Sequence, residues 1–163
     1  MNPTKAEGTI VFVCASEMRA EPNHWLLERA QHLGRARTAP RYELINYETF
    51  GALVEDGCTS VLGELYLVDA ATLAALDRFE GHPTLNERQS IELEDGCRAQ
   101  GYLLPGVTYR GPLCVAGGDW RSRPREVVAQ AAGDSPTRKP SAFERIEQSI
   151  AKVAAARARR EGP

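Results

Sequence analysis

The stretch Leu76-Asp77-Arg78-Phe79-Glu80-Gly81-His82-Pro83 puts a carboxylate, Glu80, at the last position of an apolar-periodic run that Gly81 and Pro83 bring to an end. A helix C-terminus is the negative end of the backbone dipole, so a carboxylate there is disfavoured unless something compensates. Two readings stand. Solvent satisfies Glu80 as an ordinary exposed charge, or a site uses a carboxyl whose pKa burial and the dipole raise, which suits a general acid or base near neutral pH. A second cluster, Cys14-Ala15-Ser16-Glu17-Met18-Arg19 with Asn23-His24, lies between a strand-like run and a helix-like one. Backbone N–H groups at such a turn can hold an anionic oxygen. Ser16 has no adjacent His–Asp partners, and Cys14 continues its strand, so neither reads as a nucleophile on its own. His24 caps the helix-like run after it or is solvated.

These residues need elements to position them. Thr9–Cys14 is a β-branched and aromatic run, short enough for a buried strand. Pro22–Gly34 carries Trp25, Leu26, Leu27, Ala30 and Leu33 at helical spacing and predicts a helix. Arg41–Asn46, Ala52–Glu55 and Ser60–Val68 read as strands, and Asp56-Gly57 supplies turn chemistry between the last two. Ala70–Phe79 predicts a helix with Leu73, Leu76 and Phe79 inward and Asp69 as its cap. Gln89–Leu93 and Arg98–Leu103 around Asp95-Gly96 predict a hairpin. At least five strands with two helices make the class α+β, a small mixed β-barrel with flanking helices and a C-terminal helical extension.

Three stretches divide the chain: a domain over 1–121, a linker or loop over 122–140 rich in Arg, Pro, Gly, Ser and Ala, and an amphipathic helix over 141–163. In the last, Phe143, Ile146, Ile150 and Val153 form one stripe, which docks on the domain or meets a partner or a second copy.

The 163 residues hold 20 Lys and Arg against 22 Asp and Glu, a formal charge of −2, with 42 % hydrophobic residues. So balanced a chain sets up no field that draws it to nucleic acid or anionic lipid. No apolar run reaches a membrane span and no secretory leader opens the chain, so the expected location is the cytoplasm. Cys14, Cys58, Cys97 and Cys114 are too widely spaced for zinc or a redox pair, so no metal is expected, and the thiols are expected to pack mostly as small apolar groups.

The order of pieces is similar to the γ-glutamyl cyclotransferase-like family. It is carried by Ile10-Val11-Phe12-Val13, Met18-Arg19, Pro22-Asn23-His24, Leu62-Gly63-Glu64-Leu65-Tyr66 with Val68-Asp69, the Glu80 segment with Arg88, and Gly118-Asp119-Trp120-Arg121. Within that family the chain most resembles the short γ-glutamylamine cyclotransferases and the butirosin-pathway type, over about residues 9–121. The resemblance implies a small barrel with a central cavity. It also implies removal of a γ-glutamyl group from an amine as 5-oxoproline, with no metal or organic cofactor. Glu80 takes the family's acid–base position, and the loop Cys14, Ala15, Ser16, Glu17 with Asn86 takes the substrate-binding positions.

Departures from the family pattern gather at that pocket. Its members usually carry Tyr-Gly-Ser/Thr-Leu where this chain has Cys14-Ala15-Ser16-Glu17. Glu48 and Gly51 stand in place of a Gly and a Pro, and Asn86 in place of a Tyr. The expectation is an enzyme with a reshaped pocket for an amine-bearing small molecule or peptide, Glu17 receiving a basic group. The alternative is a lapsed cyclotransferase fold that binds or assembles through its C-terminal helix.

Overall fold

A computed structural model describes residues 7–47, 50–107 and 113–124. The 141–163 helix, the linker beyond residue 124 and Glu48 lie outside these residues. In chain order the elements are β1 (Thr9–Val13), β2 (Gln31–Arg37), β3 (Tyr42–Asn46), β4 (Gly51–Glu55), β5 (Leu62–Val68), α1 (Ala70–Glu80), β6 (Glu87–Glu92) and β7 (Arg98–Leu103). The strands form one sheet in the order β2-β5-β1-β7-β4-β3, with β6 paired to β7 off that path.

Strand β7 is the junction. The β6 ladder runs its whole length, Glu87 opposite Leu103 to Glu92 opposite Arg98, and so takes one edge. Strands β1 and β4 share the other edge, each parallel to β7, β1 at Gln100 and β4 at Leu103. A strand has two hydrogen-bonding edges, so β1 and β4 must part from each other where they leave β7. That parting, at the C-terminal end of β1, opens a cleft.

The α+β class stands, but the architecture is an open sheet rather than a closed barrel. Among the described residues only an isolated bridge, Thr38 to Leu93, joins the end of β2 to the end of β6. Among the described residues there are seven strands, within the at least five expected, and one α-helix where two were expected.

The missing helix is Pro22–Gly34. The structure has a single 3-10 turn at His24–Leu27 and then the edge strand β2, paired antiparallel with β5. Trp25, Leu26 and Leu27 supply only that one turn; Leu27 is buried whereas Trp25 is 63 % exposed. From Gln31 to Ala36 the partly buried positions are His32, Gly34 and Ala36, a period of two, while the apolar Leu33 faces outward and imitates a helical stripe.

Helix α1 matches expectation at both ends. The Asp69 side chain accepts the Thr72 N–H at 2.7 Å. Gly81, at φ +67°, takes the left-handed conformation that closes the helix, and the His82 N–H reaches the Asp77 carbonyl at 2.8 Å. The inward stripe differs, for Leu76 is fully buried but Phe79 is 42 % exposed. Steps of three residues lag the helical repeat by about 60° each, so Phe79 has rotated about 120° away from Leu73. Glu80 follows Leu76 by four residues and shares its inward face.

The two turns formed as expected, one with a change of agent. Gly96 has positive φ in the β6–β7 hairpin. Between β4 and β5 it is Asp56 that has positive φ, while Gly57 serves close approach, since a Cβ there would lie 2.3 Å from the Tyr42 carbonyl oxygen. The thiols do not all pack inward either. Cys14 is buried, but Cys58 and Cys97 sit exposed beside turns. The core gathers β1, β3, β4 and β5 side chains with Leu76, Ile91, Leu103 and Trp120. Among the described residues no helix is long and apolar enough to cross a membrane.

Candidate active site

The cleft between β1 and β4 is lined by Phe12, Val13, Cys14, Ala15 and Glu17 from β1 and its loop, by Gly51, Ala52 and Leu53 from β4, and by Glu80, Asn86 and Tyr102. Five of the six sequence-expected residues therefore meet at one place. The sixth, Ser16, is buried behind it, where its hydroxyl donates to Glu17 Oε1 at 3.1 Å. It holds Glu17 rather than facing the cleft.

Counted over the whole residue Glu80 is half-buried, but its carboxyl group is the enclosed part, turned inward by the face it shares with Leu76. The exposed-charge reading is thereby excluded. Asn86 donates its amide N–H to Glu80 Oε2 at 2.7 Å. The Glu17 carboxyl lies within hydrogen-bonding reach of Glu80. Burial, reinforced by the facing Glu17, drives the Glu80 carboxyl well above the ordinary carboxylate range, and burial also raises Glu17. Two carboxyls so close cannot both ionise cheaply, so they titrate as a pair.

Glu17, the residue expected to receive a basic group, faces the cavity: it is 6 % exposed and turned onto Glu80. Cys14 lines the same cavity, but burial and the charge of the neighbouring Glu17–Glu80 pair push its thiol far up, so it stays protonated and unreactive. His24 neither caps a helix nor points to solvent alone: its Nδ1–H donates to the Glu17 carbonyl at 3.0 Å and braces the loop.

Sequence reasoning missed Tyr102 and the group that holds the end of α1. The Asp77 carboxylate accepts the Tyr102 hydroxyl at 2.8 Å and the Arg88 Nε–H at 2.9 Å. Burial alone would raise Asp77, but these donors outweigh it and hold it below the ordinary range. Burial and the Asp77 bond push the Tyr102 phenol far up, so it remains a donor. This network ties the last turn of α1 to β6 and β7 and so fixes where Glu80 points. Its signal in the sequence was weak: Asp77 and Tyr102 are 25 positions apart, and only the strand register brings them together.

The back wall depends on Gly51. A Cβ there would lie 2.8 Å from both the Ala15 Cβ and the Trp120 ring, so the backbone of β4 fits only as glycine. As it stands the cavity holds about 30 Å³, room for about two waters.

The described residues thus form an α+β domain, an open mixed sheet with one α-helix whose last residue, Glu80, meets the first loop at a cleft. The chain belongs to the γ-glutamyl cyclotransferase, AIG2-like family, whose model matches residues 11–122. It is 40 % identical over 114 residues to a protein of Vibrio cholerae serotype O1 provisionally assigned as a γ-glutamylcyclotransferase, covering 70 % of this chain and 96 % of that one. Among solved structures it resembles the AIG2-like protein of Mus musculus, with 27 % identity, a TM-score of 0.52, and 65 % of this chain and 82 % of that one covered. It also shares the fold of an uncharacterised Pyrococcus horikoshii protein, with 24 % identity, a TM-score of 0.58, and 69 % and 90 % covered.

Proposed function

We propose that the protein cleaves γ-glutamyl amides of amines by intramolecular cyclisation, releasing 5-oxoproline and the free amine. The observation that carries this reading is the inward carboxyl of Glu80, raised by burial and set against the first loop. In that reaction the substrate's own α-amine attacks its side-chain amide carbonyl, and holding the chain folded supplies much of the rate. An α-ammonium is no nucleophile, so a carboxyl of the site must accept its proton and return one to the departing nitrogen. Glu80 is that proton carrier, held by Asn86 and by the Asp77–Tyr102–Arg88 network behind it. The Ala15–Ser16 backbone at the mouth of the first loop is suited to polarise the amide oxygen. No cofactor is called for by this chemistry.

The test is direct. Purified protein is incubated with γ-glutamyl butylamide, γ-glutamyl-lysine and γ-glutamyl para-nitroanilide, and 5-oxoproline is measured. Release from one of them is expected, lowered about 10²-fold or more by Glu80→Gln where the leaving group is an alkylamine; no release from any overturns the reading. One observation favours a second reading, a domain that keeps the fold without the reaction: a cavity of about 30 Å³ is far below the several hundred Å³ usual for a ligand pocket. The two readings separate in the same assay, since the first requires the carboxyls to move apart and admit substrate.

A further inference from the structure

Glu17 is the feature of this site that the resemblance does not account for, because the family usually has an apolar residue at its position. Its carboxyl is buried and in reach of Glu80. The titratable groups that face the pair are Cys14 from the end of β1 and Tyr102 from β7, the latter committed to Asp77, which is itself bound by Arg88. Among the described residues, no Lys, Arg or His lines the cavity. Two ionised carboxylates offer each other only acceptors, so a hydrogen bond between them requires one shared proton. Donor supply says where it sits. Glu17 is bonded by the Ser16 hydroxyl and by its own backbone N–H, whereas Glu80 receives only the Asn86 amide. With more donors, Glu17 is the carboxylate and Glu80 the acid.

We propose that Glu17 is a second catalytic carboxyl, which takes the proton from the substrate's α-ammonium while Glu80 gives its own to the departing amine. This rests on the cyclotransferase reading and divides its proton traffic. Glu17 as carboxylate removes one proton from the α-ammonium, and the freed amine forms the new C–N bond to the amide carbon, which becomes tetrahedral. Glu80 protonates the amide nitrogen as its C–N bond breaks, then takes the second proton from the ring nitrogen. The released amine collects its last proton from Glu17. The α-nitrogen has lost two protons, the leaving nitrogen has gained two, and the pair is back to one.

The experiment compares wild type, Glu17→Gln and Glu80→Gln on γ-glutamyl butylamide and γ-glutamyl para-nitroanilide, across pH. A weakly basic leaving nitrogen needs the acid less and the base as much. Glu17→Gln is therefore expected to lose about 10²-fold on both substrates, and Glu80→Gln to lose about 10²-fold on the butylamide but less than about tenfold on the nitroanilide. Wild-type kcat/KM should be bell-shaped in pH, and Glu17→Gln should lose the acidic limb. Glu17→Asp, which keeps a carboxyl, should recover part of the activity that Glu17→Gln loses. If Glu17→Gln keeps wild-type activity and both limbs while Glu80→Gln is inactive, the second carboxyl is overturned and the cyclotransferase reading stands. If wild type releases no 5-oxoproline, both fall. Carbon NMR titration of the side-chain carboxyls, with melting curves of each variant, shows whether the pair is one-proton and whether the variants are folded; a pair that ionises independently overturns the proposal whatever the activities.

Discussion

Glu80 and Glu17 are acids held neutral, or half neutral, by the fold, and this has a cost in stability with a definite sign. A carboxyl whose folded pKa is raised contributes fully below its unfolded value, near 4.5, and that contribution is lost as pH rises through the folded value. Replacing Glu80 by Gln keeps the shape and removes the titration. Glu80→Gln should therefore melt at a higher temperature than wild type at neutral pH and close to it at pH 4, as calorimetry across pH would show, even though activity is lost. A site that stores an unfavourable ionisation for use in a reaction behaves in this way.

The same residues show what a sequence can and cannot say locally. Glu80 was legible because a carboxylate before a helix-ending Gly is out of place. Asn86 was legible as a departure from a pattern. The partner of Glu80 was not: nothing along the chain says that Glu17, 63 positions earlier, turns inward to meet it. Ser16 was placed on the right loop, but the bond of its hydroxyl to Glu17 was not legible, because a hydroxyl in a tight turn bonds whichever neighbour the turn presents.

Helix α1 aims the site, so the interactions that fix its last turn should matter to function more than to stability. Tyr102→Phe removes one donor from Asp77 but leaves Arg88, and is expected to cost about 1 kcal/mol in unfolding while lowering kcat more than it changes KM. Gly81→Ala forces an alanine to the left-handed φ of +67° and should cost about 1 kcal/mol, read by urea unfolding. The elements with strong local signals formed where expected: α1 between its caps, the β6–β7 hairpin around Gly96, and β1. Strand β2 did not, since one apolar turn followed by an outward Leu33 reads as a continuous helical stripe. Only pairing with β5 decides between the two periods.

At the scale of the molecule, Glu64 ties the far end of the described chain to the sheet. From β5 it accepts the Arg19 N–H at 2.9 Å, the Tyr66 hydroxyl at 2.7 Å and an Arg121 N–H at 3.2 Å. Burial works against its charge, but these donors hold it below the ordinary range. Glu64 and Asp77 thus stabilise the fold above their unfolded values and stop doing so as pH falls through their lowered folded ones, while Glu17 and Glu80 act in the opposite direction above 4.5. These four groups together place the optimum of stability on the acid side of neutrality, testable by melting temperature from pH 3 to 8, and Arg121→Ala should narrow the acid side of that range. Trp120 is 1 % exposed and packs on Gly51. Trp120→Ala should cost about 3–5 kcal/mol, read by denaturant unfolding.

What the sequence determined by itself was the content: the α+β class, the stop of α1 at Gly81, the hairpin, the family, and the two segments from which a site could be built. Those arise from short-range physics, in which caps, turn residues and periodicity act within a few positions. The tertiary structure alone decided that the sheet stays open, that β1 and β4 part along β7 to make a cleft, and that two carboxyls distant in the chain share it. Such facts depend on which strand edges pair, and edge pairing is a competition among all strands that no local stretch of residues encodes.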